Sequence, residues 1–110
     1  MLSMINAERS QHGLAPLHHN EALAEVARAH VVTLPTNFAH SSNLGSRIPA
    51  GWLKCAENVG YHTSLDKVHT NLMNSAGHRA NILHPDHNNV GVGVHVHDGR
   101  VYVTQVFAQY

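Results

Sequence analysis

Apolar residues recur every three or four positions between Asn20 and Leu34. Leu23, Val26, Ala27, His30, Val31 and Leu34 fall on one stripe, which predicts an amphipathic helix. Asn20 is placed to cap it, Glu21 favours the positive end of its dipole, and Pro35 closes it. An earlier helix is predicted over residues 2–12, where Leu2, Ile5 and Arg9 repeat at helical spacing and Gly13 is a natural stop. Beginning at Met1 leaves its first turn short, so this helix is expected to be truncated at its N-terminus. A third helix is expected to start near Thr63 or Ser64, with Asp66 answering Thr63 as in a capping box. Its apolar side is Leu65, Val68, Leu72 and Met73. Ser75 and Gly77 break it, and a shorter helix then carries His78, Arg79, Ile82 and Leu83 up to Pro85.

Beyond residue 89 the period changes to two. Val90, Val92, Val94 and Val96 alternate with Gly91, Gly93, His95 and His97; Asp98-Gly99 is a two-residue turn; a second strand follows from Val101 to Ala108. That second strand is apolar on both faces, so the sheet is expected to be covered on both sides by helices. Residues 36–55 are rich in Asn, Ser, Gly and Pro and read as a long loop, pinned to the core by Trp52. Ser75 is expected to cap the short helix that follows it.

Composition narrows the function classes. A chain of 110 residues, 43% hydrophobic, predicts one domain spanning 1–110. Seven basic and seven acidic residues, with no basic run, argue against a nucleic-acid partner. No stretch has the length of a transmembrane segment, and the opening residues run at once into Asn6, Glu8 and Arg9 without a signal-peptide pattern. Cys55 stands alone, so no internal disulfide forms; Glu57, two residues on, would raise its pKa, and it reads as a packing residue. Twelve histidines are the outlier. Charging together as pH falls, they predict acid sensitivity or acid-enhanced binding to anionic surfaces; the simpler reading is that most are solvated. His30 on the helix stripe reads as a satisfied core histidine, and His84 and His87 as solvated loop residues. His95 and His97 share a strand face, where they form either a polar surface or a modest metal chelate.

The candidate chemistry sits in Phe38-Ala39-His40-Ser41, Ala56-Glu57-Asn58-Val59 and Ser75-Ala76-Gly77-His78-Arg79. His40, His78 and Glu57 are of the right types to hold a zinc-like ion with water completing the shell. They are equally consistent with a hydrogen-bonded His–Glu–His cluster. Acid–base chemistry is a further possibility, with Glu57 as base, a histidine as acid, and Ser41, Ser42 and Ser75 as hydroxyls. No Gly-x-Ser-x-Gly elbow supports a serine hydrolase. Asn58, Asn81 and Gln105 either tie loops to helix ends or support the histidines from behind. Arg79 either draws an anionic ligand to the cleft rim or pairs on the surface.

These blocks, together with Asn6-Ala7-Glu8-Arg9, Gly13-Leu14-Ala15-Pro16-Leu17, Ala80-Asn81-Ile82-Leu83, Val90-Gly91-Val92-Gly93 and Tyr102-Val103-Thr104-Gln105-Val106-Phe107, fall in an order that resembles the bacterial branch of the CAP superfamily, also called SCP domains. The resemblance covers essentially the whole chain. It implies an α+β fold, a three-layer α-β-α sandwich with a central, largely antiparallel sheet, and an extracellular or cell-envelope location. It also implies a central cleft in which His40, Glu57 and His78 match three members of a tetrad of two histidines and two acids. The fourth, a glutamate shortly before the second histidine in animal and plant relatives, falls near Ser75 and is absent. Leu72 and Ala76 stand where bacterial members often carry Trp and Pro. The expected function is non-catalytic binding of a small-molecule, lipid or protein ligand in a cleft of His40, Glu57, His78, Asn58, Ser75 and Gln105. Zinc or another divalent cation is a possible occupant, held by His40, His78 and Glu57. The alternative is a metal-assisted hydrolase of peptide or cell-wall material, with Glu57 and His78 catalytic.

Overall fold

The structure is a computed structural model that describes residues 1–110. Helix α1 spans Leu2–Gln11, strand β1 His18–His19, helix α2 Glu21–Val31 and helix α3 Leu44–Arg47. Strand β2 follows at Lys54–His62, then helices α4 (Leu65–Met73) and α5 (Ala76–Ile82), and strands β3 (Asn89–His97) and β4 (Arg100–Gln109). The sheet order is β1-β3-β4-β2; β1 runs parallel to β3 and the other pairs are antiparallel.

Helices cover both faces, as the doubly apolar β4 requires. On one face Ile5 of α1, Val68 and Leu72 of α4 and Ile82 of α5 pack on Val90, Val103 and Phe107. On the other, Leu23 and Ala27 of α2 pack with Ile48 on Val106 and Ala108, while Val31 and Leu34 pack on Val59 and Tyr102. This is the expected three-layer sandwich. The α2 seat needs glycine. A Cβ built on Gly91 would lie 2.0 Å from the Ala24 nitrogen, and one on Gly93 2.5 Å from the Ala27 carbonyl oxygen. The helix backbone therefore rests directly on the strand.

Asn20 caps α2 as expected, its Oδ1 accepting from the Leu23 N–H at 3.2 Å. The Asp98-Gly99 turn has both residues at positive φ, 49° and 73°, which matches the right-handed twist of the flanking strands. Trp52 does pin its loop: Nε1–H donates to the Gly45 carbonyl at 3.0 Å. Three expectations need correction. The segment 36–55 is not loop throughout, because α3 interrupts it and β2 begins at Lys54. Helix α4 is capped by Ser64, which accepts from the Lys67 N–H at 3.2 Å. Ser75 stands at the N-cap position of α5 but makes no side-chain capping bond.

Arg9 is the least expected core residue, only 1% exposed. Its guanidinium has no carboxylate partner. It donates instead to backbone carbonyls: Ala15 at 2.8 Å, Ile82 and His84 each at 2.9 Å, and His87 at 3.4 Å. His87 is likewise buried, not solvated. It stacks on Phe107 with ring centroids 5.4 Å apart, and its Nδ1–H donates to the Asn81 carbonyl at 3.1 Å.

Candidate binding cleft

The site is organised by two adjacent residues of β2, the outermost strand of the sheet. Side chains alternate across a strand, so Glu57 and Asn58 point to opposite faces. Glu57 is buried on the α2 side and takes the loop 37–42 in hand. One oxygen accepts from the Ser41 backbone N–H at 2.7 Å and from His40 Nδ1–H at 3.0 Å; the other accepts from the Ser41 hydroxyl at 2.5 Å. Because the carboxylate can only accept, His40 must carry its proton on Nδ1, which turns the Nε2 lone pair outward. The His40 side chain is 61% exposed and that of Glu57 only 5%. A buried carboxylate thus orients an open imidazole.

Asn58 does the equivalent on the other face. Its two N–H bonds go to the His78 carbonyl and to Gln105 Oε1, both at 3.1 Å, while its own oxygen accepts from Asn81 Nδ2 at 2.9 Å. Gln105 stands beside it in register on β4. Asn58, Asn81 and Gln105 therefore fasten α5 to the sheet. Asn58 and Gln105 are fully buried, so they support the site from behind and do not line it. Ser75 holds the His78 ring instead of capping the helix: its hydroxyl lies 2.8 Å from Nδ1 and suits either tautomer, since it can both donate and accept. Burial first, and then the nearby His40, lower the His78 pKa, which favours a neutral ring.

Two hollows flank the 37–42 loop, one holding His40 and the other His78. A cavity of about 860 Å³ lies between that loop and α2 and includes His30, His40, Ser41, Ser42 and Arg47. A smaller one of about 230 Å³ lies on the α4–α5 side and includes Phe38, Tyr61, Asn71, Ser75 and His78. His30, expected in the core, is half-exposed in the larger hollow, and its Nε2–H donates to the Ala39 carbonyl at 2.7 Å, the residue before His40. Sequence reasoning missed this tie, because His30 falls on the apolar stripe of α2 and nothing in its spacing points to the 37–42 loop. Arg79 is exposed and donates to the Met73 carbonyl at 3.3 Å.

The proposed metal set fares differently. No group of three or more His, Cys, Asp or Glu side chains is arranged to hold a metal ion. Both Glu57 oxygens accept hydrogen bonds from His40 and Ser41. His40 and His78 remain as donors.

A family model for the cysteine-rich secretory protein (CAP) family matches residues 2–107. The chain is 33% identical to the uncharacterized membrane protein YlbC of Bacillus subtilis over 97% of its length, and it spans only about a third (33%) of that relative. Its fold is that of an outer surface protein from Borrelia burgdorferi, with a TM-score of 0.84 at 20% identity, covering 98% of this chain and 88% of that one. An extracellular SCP-domain protein from Bacillus anthracis superposes with a TM-score of 0.79 at 28% identity, over 99% of this chain and 39% of its own. No helix of this chain is long and apolar enough to cross a membrane. With the family model matched from the first helix to the last strand, the chain belongs to the CAP, or cysteine-rich secretory protein, family.

Proposed function

We propose that this chain is a secreted or envelope-associated binding domain, without catalytic activity of its own, that takes a small-molecule, lipid or protein ligand at the edge of β2. The observation that carries this reading is the state of Glu57. A general base must be free to accept a proton from a reacting group. Three hydrogen bonds from Ser41 and His40 already engage this carboxylate, two on one oxygen and one on the other, which supports a role in positioning the loop.

A divalent cation fits the two histidines better than the three-residue set expected from the sequence. His40 has the carboxylate–imidazole arrangement that fixes a tautomer and raises ligand basicity. Ser75 can accept from His78 Nδ1–H and leave Nε2 as donor. When bound there, such an ion would supply Lewis acidity toward an oxygen-bearing ligand. Zinc calorimetry tests the assignment. His40→Ala and His78→Ala should each weaken binding at least tenfold, and an affinity unchanged by both removes these residues from the metal site. Hydrolysis of a peptide or cell-wall substrate that Glu57→Gln abolishes in a still-folded protein would favour the hydrolase alternative.

A further inference from the structure

The histidine pair on β3 lies away from the cleft and is used by none of the preceding chemistry. His95 and His97 stand on the face that receives α2 through Gly91 and Gly93. The helix and strand advance together, Gly91 under Ala24 and Gly93 under Ala27, which brings His95 to the last turn of α2 and His97 beyond it. His97 is exposed and His95 half-buried, and that end of a helix carries the negative pole of its dipole. The two imidazoles lie nearly parallel, with centroids 6.1 Å apart and planes inclined by 21°.

The neighbouring charges favour a cation. His97 Nε2 lies 3.3 Å from Asp98 Oδ2. With the proton on Nε2 directed at that carboxylate, Nδ1 is left as a lone-pair donor, the order in which a carboxylate supports a metal-binding imidazole. Arg100 is opposite His97 in register, but its guanidinium is drawn toward β2, where it lies 5.4 Å over the Tyr61 ring. The Arg100 charge is thus held against the Tyr61 ring.

We propose that His95 and His97 form a second metal site, a two-imidazole chelate for a late first-row divalent ion, completed by water and oriented by Asp98. Two neutral nitrogen donors without thiolate select Cu2+ over Ni2+ over Zn2+ by the usual order of stability. The site is independent of the cleft and does not rest on the function proposed there.

Substoichiometric Cu2+ added to the whole chain at pH 7.5 tests it through paramagnetic broadening in 1H–15N spectra. The broadening should centre on His95, His97 and Asp98, and it should persist in the His40→Ala/His78→Ala double variant. His95→Ala and His97→Ala, both outside the buried core, should each weaken Cu2+ at least tenfold with the protein still folded. Broadening centred on the cleft, or spread evenly over the twelve histidines, overturns the proposal. So does a Cu2+ affinity that survives both single substitutions.

Discussion

Glu57 illustrates how far a single residue could be read in advance. Its pairing with His40 across 17 positions was expected from the resemblance, not from spacing. Its second and third contacts, the Ser41 backbone and hydroxyl, carried no sequence signal, because a loop Ser beside a His is commonplace. Glu57→Ala leaves the half-buried Ser41 N–H and hydroxyl without this acceptor, and should cost about 1–2 kcal/mol of unfolding free energy by urea denaturation. His40→Ala should raise the His78 pKa in an NMR titration, since the positive neighbour that lowers it is gone. The ring should still titrate below its ordinary value because burial, the larger cause, remains. A His78 titration unmoved by the substitution would mean that the two rings do not sense each other across the strand edge.

At the scale of elements, legibility followed periodicity. The α2 stripe and its Asn20 cap, and the β3–β4 hairpin with its Asp98-Gly99 turn, were all plain from spacing. Strand β2 was not. Its α2-facing positions read Cys55, Glu57, Val59, Tyr61, so the site's own carboxylate interrupts the apolar alternation that marks a strand. Function hid the element that carries it. In the sequence Gly91 and Gly93 are simply the positions that alternate with valine, whereas the structure gives them a packing reason. Gly91→Ala forces a Cβ into the backbone of α2 and should lower the unfolding temperature by more than about 10 °C, a loss of several kcal/mol, or prevent folding. Gly77→Ala in α5 meets nothing within 4 Å and should stabilise by about 0.5–1 kcal/mol through helix propensity. Comparing the two variants by thermal unfolding separates steric exclusion from backbone entropy.

For the molecule as a whole, the histidine count drew attention to acid, and two members, His69 and His87, are buried. His87 is held neutral with its pKa lowered to about 4, chiefly by burial. The unfolded chain binds the proton near 6.5, so it takes up more protons than the folded chain between these values. Stability therefore rises with pH through that window and falls as pH drops from 6.5 toward 4, by about 3 kcal/mol from this residue. His78, lowered in the same direction, adds to the slope. Urea unfolding followed between pH 7.5 and 4 should show this decline, and His87→Gln should flatten it. Equal slopes in both proteins would place the acid response elsewhere. The sequence could not have identified His87, since its neighbours Pro85 and Asp86 are those of a surface turn.

Arg9 bears on the order in which the molecule is put together. Its acceptors lie at Ala15, Ile82, His84 and His87, so they share one place only after the distant ends of the chain have met. Until then, seating α1 would strand a bare cation in oil. Helix α1 is thus expected to seat only after the segment 82–87 is in place, although it precedes that segment in the chain.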